Sequence, residues 1–156
     1  MPDAGCLFPV IAAGNRRGGA FAMKTERYLS QTDAAILGRL AEHLLRKGGV
    51  NIPFAEQLIA IIETSILLPA NAPREDCVAL YSTVVCRDLE SDRQMSLCIV
   101  CPHDVHDGLA QVSILAPLAL ALVGRMVGSL VEVKLPFLQT MFIEIVGTES
   151  PVHQGT

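Results

Sequence analysis

A chain of 156 residues with 51% hydrophobic residues can bury one substantial core, while a formal net charge of −4 argues against a polyanion-binding role. Aromatics make up only 4% and Trp is absent, so the core must be aliphatic and a base-stacking surface is excluded. The only adjacent basic pairs are Arg16-Arg17 and Arg46-Lys47, too dispersed for a phosphate-binding face, so no direct nucleic-acid binding is expected.

Residues 1–27 read as a disordered stretch or extension. Leu7 to Ala13 imitates the apolar part of a secretory leader, but Asp3 precedes it and Arg16-Arg17 follow it, which inverts the charge order of a signal peptide. Met23-Lys24-Thr25 looks like an ordinary start. Residues 28–68 are expected to form a helical hairpin. Ser30-Gln31-Thr32-Asp33 resembles a capping box with Asp in place of Glu. Ile36, Leu37, Leu40, Leu44 and Leu45 then recur at helical spacing, and Gly48-Gly49 stop the helix. Asn51 and Pro53 open a second helix with a stripe of Phe54, Leu58, Ile61, Ile62 and Ser65. So short a loop makes the helices antiparallel, with arms about 24 Å long at 1.5 Å per residue.

Residues 69–76, with two prolines, form a polar linker, and residues 77–148 a strand-rich unit. Residues 77–87 alternate as a strand, Asp88 to Arg93 turn, and residues 95–101 form the next strand. A short strand is expected at Gln111 to Leu115. Pro117 opens a short helix that Gly124 closes, and Leu130 to Leu135 with Thr140 to Val146 form a last hairpin. Residues 149–156 are a patternless tail. The fold class is therefore α+β: a short antiparallel helical hairpin followed by an antiparallel sheet of four to five strands with one short helix. No apolar run is long enough to cross a membrane, so no membrane role is expected. Five cysteines, an odd number with no leader before them, read as reduced thiols in a cytoplasmic protein.

Two chemical readings arise from single segments. Cys98-Ile99-Val100-Cys101-Pro102-His103-Asp104-Val105-His106 offers two Cys and two His, a legitimate zinc set. Two cysteines three apart on a strand point to opposite faces, and Ile99-Val100 does not form a turn, so no metal or other cofactor is expected. A small metal- or ligand-binding module built on this segment stays the alternative function. Cys86 beside Arg87 has no His near it in sequence and reads as a strand residue rather than an activated thiol.

Further along, Val112-Ser113-Ile114-Leu115-Ala116-Pro117-Leu118-Ala119-Leu120-Ala121-Leu122-Val123-Gly124-Arg125 leads to Gly128, Val131-Glu132-Val133 and Leu135-Pro136. This order of motifs resembles the C-terminal domain of the Gre-type transcription elongation factors. Asp76 to Val84 is similar to that family's first strand, and the likeness runs over roughly residues 73–147. Leu115 and Ala116 stand where the family has Asp or Asn and then Ser, and Gly128-Ser129 replaces a Gly-Asp turn. The Ala-Pro version and the short hairpin look like the branch called regulator of nucleoside diphosphate kinase. The resemblance implies a fold like that of the FK-binding prolyl isomerases, and docking on bacterial RNA polymerase beside its secondary channel. The implied contact is Ser113, Leu115, Ala116 and Pro117, of which Ser113 and Pro117 match the family pattern. Gre factors also carry acidic residues at the hairpin tip that help hold Mg²⁺ at the polymerase active site. Arg46 to Pro53 contains no Asp or Glu, so no transcript cleavage and no catalytic residue is expected, and the protein would compete with Gre-like factors. Isomerase activity is not expected either, because Tyr81, Phe137 and Phe142 are too few to line an aromatic pocket.

Overall fold

The computed structural model describes residues 26–71, 75–106, 109–137 and 139–149. The expected extension up to residue 25, the middle of the expected linker and the tail from residue 150 lie outside the described residues.

The hairpin forms as its pattern requires. Helix α1 spans Gln31–Lys47, and α2 spans Ile52–Thr64 after a single 3-10 turn at Gly49–Asn51. At 1.5 Å per residue the two helices are about 25 and 20 Å long. The Ser30 side chain accepts the Asp33 N–H at 3.0 Å and caps α1. Gly48 (φ 69°) and Gly49 (φ 63°) turn the chain in the left-handed region, where a side chain would be strained. Leu37, Ala41 and Leu44 of α1 are buried with Ala55, Leu58 and Ile61 of α2. The stripes are narrower than expected: Leu45 is 42% exposed and Phe54 37% exposed, because the small Ala41 and Ala55 let the helix backbones approach and take the central positions.

Strands Tyr28–Leu29 (β1) and Ile66–Leu67 (β2) flank the hairpin and pair in parallel, a two-residue contact that no alternation announced. It closes the base of the hairpin. Arg27, expected to lie in the extension, is fixed there: its backbone carbonyl accepts Ile66 N–H at 2.8 Å. Its guanidinium donates to the carbonyls of Leu120 and Val123, both at 2.8 Å.

The main sheet has five strands, β3 (Thr83–Asp88), β4 (Gln94–Val100), β5 (Gln111–Ser113), β6 (Leu130–Lys134) and β7 (Thr140–Glu149), in the order β5-β4-β3-β7-β6. The expected all-antiparallel sheet is corrected here: β5 runs parallel to β4, so the sheet is mixed. A two-residue turn would force an antiparallel return. The long connection after Val100, which includes a 3-10 turn at Pro102–Asp104, instead carries the chain back beside Cys98, so that β5 pairs with the last three residues of β4. Residues 77–82 do not continue β3 as expected. Tyr81 has φ 65°, a left-handed conformation worth about 1–3 kcal/mol of strain, and it breaks the strand before Thr83.

Helix α3 (Pro117–Leu122) lies on the sheet, with Ala119, Leu120 and Leu122 buried. These side chains share one continuous core with Val84, Cys86, Leu97, Ile99, Val131, Val133, Ile143 and Ile145 of the sheet and with Leu37 and Leu58 of the hairpin. The hairpin is also tied to the sheet unit by a polar bond. Asp33, 7% exposed, accepts the backbone N–H of Leu80 at 3.0 Å, so the residue expected to complete a capping box also bridges two parts of the fold. Burial raises its pKa above the ordinary carboxylate value, against the opposing hydrogen bonds from Leu80 and Ser30. No helix among the described residues is long and apolar enough to cross a membrane.

Candidate functional site

The segment from β5 into α3 is held by its own backbone. Ile114 N–H donates to Val100 carbonyl at 2.8 Å and extends the pairing of β5 by one residue. The Ser113 hydroxyl accepts Leu115 N–H at 3.1 Å, and the Ser113 carbonyl accepts Ala116 N–H at 2.9 Å. This local turn redirects the chain by using one Ser side chain as a backbone mimic. Pro117 then starts α3 with its ring-fixed φ, and Ala116, which cannot cap with a side chain, takes the N-cap position. At the other end Gly124 (φ 80°) passes so close to the first strand that an added Cβ would sit 3.2 Å from the Tyr28 carbonyl. The bonds from Arg27 to Leu120 and Val123 satisfy carbonyls at the helix end that no further turn reaches.

The four expected contact residues form one continuous stretch. Ser113, Leu115 and Ala116 are half-buried, Pro117 is exposed, and Ile114 between them is buried. Leu115 is neither a core residue nor a free surface residue. With Pro117, Leu120 and Ala121 it forms one wall of a cleft of about 460 Å³, opposite Phe54, Gln57 and Ile61 of α2. The charged side chains among the described lining residues, Arg27 and Lys134, are both cationic. Burial, with the nearby Arg125 charge, lowers the pKa of Arg27 to about 10, which leaves it charged at neutral pH. Sequence reading missed Arg27 and α2 as parts of this surface; the Arg-Tyr-Leu run before the Ser30 cap was the available signal.

The Cys98–His106 segment does not assemble a metal centre among the described residues: no three His, Cys, Asp or Glu side chains there converge. Cys98 is half-buried on β4, and Cys101 is buried just beyond it. The His103 side chain is 78% exposed, with Nε2 3.6 Å from the Asp104 carboxylate. Cys86 is buried in the core, and burial raises its thiol pKa, the opposite of activation. Tyr81 hydroxyl donates to the Asp104 carboxylate and accepts Cys101 N–H at 3.4 Å.

The geometry defines a helical hairpin fused to a mixed sheet with one short covering helix, carrying an apolar, cation-rimmed cleft at their junction. Residues 73–150, half of the chain, match the family model described as transcription elongation factor GreA/GreB, C-term, and the chain belongs to that family. It is 26% identical over 76 residues to transcription elongation factor GreA of Chloroherpeton thalassium, a match that takes in 49% of this chain. The chain spans about half the length of that curated relative, 48%. Among solved structures it is similar to the prokaryotic transcription elongation factor GreA/GreB from Nitrosomonas europaea, with 27% identity and a TM-score of 0.63 over 81% of this chain and 99% of that one. A GreA factor homolog 1 (Gfh1) structure from Thermus thermophilus aligns at 17% identity and a TM-score of 0.42, over 80% of this chain and 99% of that one.

Proposed function

We propose that the protein binds bacterial RNA polymerase near its secondary channel, through the Ser113, Leu115, Ala116 and Pro117 stretch and the cleft wall that continues it, and does not stimulate transcript cleavage. It is not itself an enzyme, and it acts in the cytoplasm as a competitor of Gre-like factors. Its departures from the family pattern favour the branch called regulator of nucleoside diphosphate kinase. An effect on that kinase would follow from altered transcription.

The observation that carries the non-cleaving reading is the hairpin tip. Arg46, Lys47, Gly48, Gly49 and Val50 replace the carboxylates that a hard divalent cation needs, and Val50 is 83% exposed at the apex. The nearest acid on α1, Glu42, lies a turn back and pairs with Arg46 at 3.7 Å. Arms of about 25 and 20 Å are short for reaching a buried active site. The sheet and its helix are FK-binding-protein-like in our reading, without isomerase activity. Phe137 is 93% exposed and Phe142 49% exposed, and neither is among the residues that line the cleft beside Tyr81.

Two assays test this reading. Immobilised full-length protein should retain core RNA polymerase, and the protein added to a backtracked elongation complex should release no short 3′ RNA above the polymerase's own rate. Absence of retention removes the partner; stimulated cleavage removes the non-cleaving role.

A further inference from the structure

A second cleft, of about 450 Å³, lies on the other side of the hairpin base, and nothing in the proposed polymerase contact uses it. Its volume falls in the range of about 300–1,000 Å³ typical of small-molecule sites. The α1 wall is a second stripe at i, i+3, i+4 and i+7: Ile36, Arg39, Leu40 and His43. This stripe is distinct from the Leu37, Ala41 and Leu44 stripe that packs on α2. The opposite wall is Tyr81, Cys101 and His103 from the sheet unit.

The chemistry of these walls is consistent. Ile36 and Leu40 are half-buried and pack against the core, so they supply an apolar floor. The Tyr81 ring stands at the cleft on a left-handed backbone and is pinned through its hydroxyl by Asp104 and Cys101 N–H. Above this floor stand the nitrogen donors Arg39, His43 and His103, contributed by two different elements. No carboxylate is among the described lining residues; the Asp104 carboxylate behind the cleft accepts the Tyr81 hydroxyl and lies 3.6 Å from His103 Nε2, which leaves Arg39 and His43 as the donors it does not touch.

We propose that this cleft binds a small organic anion, a carboxylate or phosphate ester with an aromatic or apolar body, whose charge meets Arg39 and the two histidines and whose body lies on Ile36, Leu40 and Tyr81. Because one wall belongs to α1 and the other to the sheet unit, the bound anion bridges the two. It braces the hairpin just above the Asp33–Leu80 bond. Occupancy of the cleft thereby stiffens the hairpin against the sheet, which couples a metabolite-sized ligand to the direction in which the tip points.

The test uses the full-length protein and three probes: 1-naphthyl phosphate, 1-naphthoate and inorganic phosphate, each titrated while backbone amide NMR signals are followed. The naphthyl probes should give saturable shifts centred on Arg39, His43, Tyr81 and His103, and inorganic phosphate, lacking a body, should bind far more weakly. Preference for one naphthyl probe assigns the headgroup as phosphate or carboxylate. Arg39→Ala should weaken binding about tenfold, or about 1.4 kcal/mol, while Arg93→Ala at the distant β3–β4 turn leaves it unchanged. Should Arg39→Ala fail to fold, His43→Gln carries the same expectation. Shifts that do not saturate, that scatter over the surface, or that persist unchanged in the cleft variants overturn the proposal. So does binding of an acidic peptide at these residues with no binding of the naphthyl probes, which would make the cleft a protein contact.

Discussion

The hairpin and the sheet unit are built by different means, and the difference shows in how tightly each constrains its own sequence. The sheet unit, within residues 73–150, depends on side chains that cannot change independently. Val84, Cys86, Ile99, Ile143 and Ile145 are at most 1% exposed, Gly124 has no room for a Cβ, and Pro117 sets the start of α3. The hairpin needs only two stripes of aliphatic residues and a Gly-Gly turn, so its length and its tip can vary without cost to the fold. The tip is therefore free to carry Arg46 and Lys47, on which the proposed non-cleaving reading rests.

If the two parts nevertheless share one core, damage to either should be felt by both. Leu37→Ala in α1 and Ile143→Ala in β7 each empty a fully buried position. Each should lower stability by about 2–5 kcal/mol, in a single unfolding transition followed by both far-ultraviolet circular dichroism and Tyr fluorescence. A separate early transition in Leu37→Ala alone would show that the hairpin melts by itself and would break the shared-core reading.

A smaller effect is expected at the polar bond between the parts. Asp33→Ala leaves the buried Leu80 N–H without its acceptor, a loss of about 1–3 kcal/mol, measured by chemical denaturation at neutral pH. The pH dependence has a definite sign. Folding raises the Asp33 pKa above 3.8, so the folded state favours the protonated carboxyl. The contribution of Asp33 is therefore fully present below the ordinary value and falls away as pH rises through the raised one. Wild type should gain stability relative to Asp33→Asn on acidification across that window; a difference independent of pH contradicts the assigned burial effect. At the seam between β1 and α3, Gly124→Ala adds a Cβ at positive φ, 3.2 Å from the Tyr28 carbonyl, and should cost more than about 1 kcal/mol.

What could be read in advance follows the same division. Both long helices were legible because aliphatic spacing, the Ser30 cap and Gly48-Gly49 are local signals. Helix α3 was legible from Pro117 and Gly124 for the same reason. The direction of β5 was not, because three residues of strand are the same in either orientation and only the path of the long connection decides. The pairing of β1 with β2 rests on two residues from each and leaves no periodicity. The capping role of Asp33 was legible because it is local, but its second role was not, because its partner Leu80 is 47 residues away. For the candidate site, the stretch from Ser113 to Pro117 was legible as a motif. The opposite wall was not, since Arg27, Phe54 and Ile61 reach it only through the fold.

That opposite wall leads to the prediction with the smallest expected effect, and it bears directly on which part of the molecule the proposed polymerase contact uses. Leu115 is half-buried, so it has apolar surface left to give to a partner without being required by the core. Phe54 stands across the cleft on the hairpin, 37% exposed. If the polymerase contacts only the sheet unit, Leu115→Ala should weaken binding of core polymerase by about 1 kcal/mol and Phe54→Ala should leave it unchanged. If the partner inserts between the two walls, both variants should weaken binding, and the double variant should cost less than the sum, because each truncation already loosens the group that fills the cleft. We expect the second pattern, since a cleft with apolar side chains on both walls suits an inserted apolar anchor better than a flat contact does. Thermal melts of the three variants separate this from misfolding: a half-buried Leu and a partly exposed Phe should each shift the melting temperature by only a few degrees. Unchanged binding in all three, with the folds intact, would place the contact outside the cleft altogether.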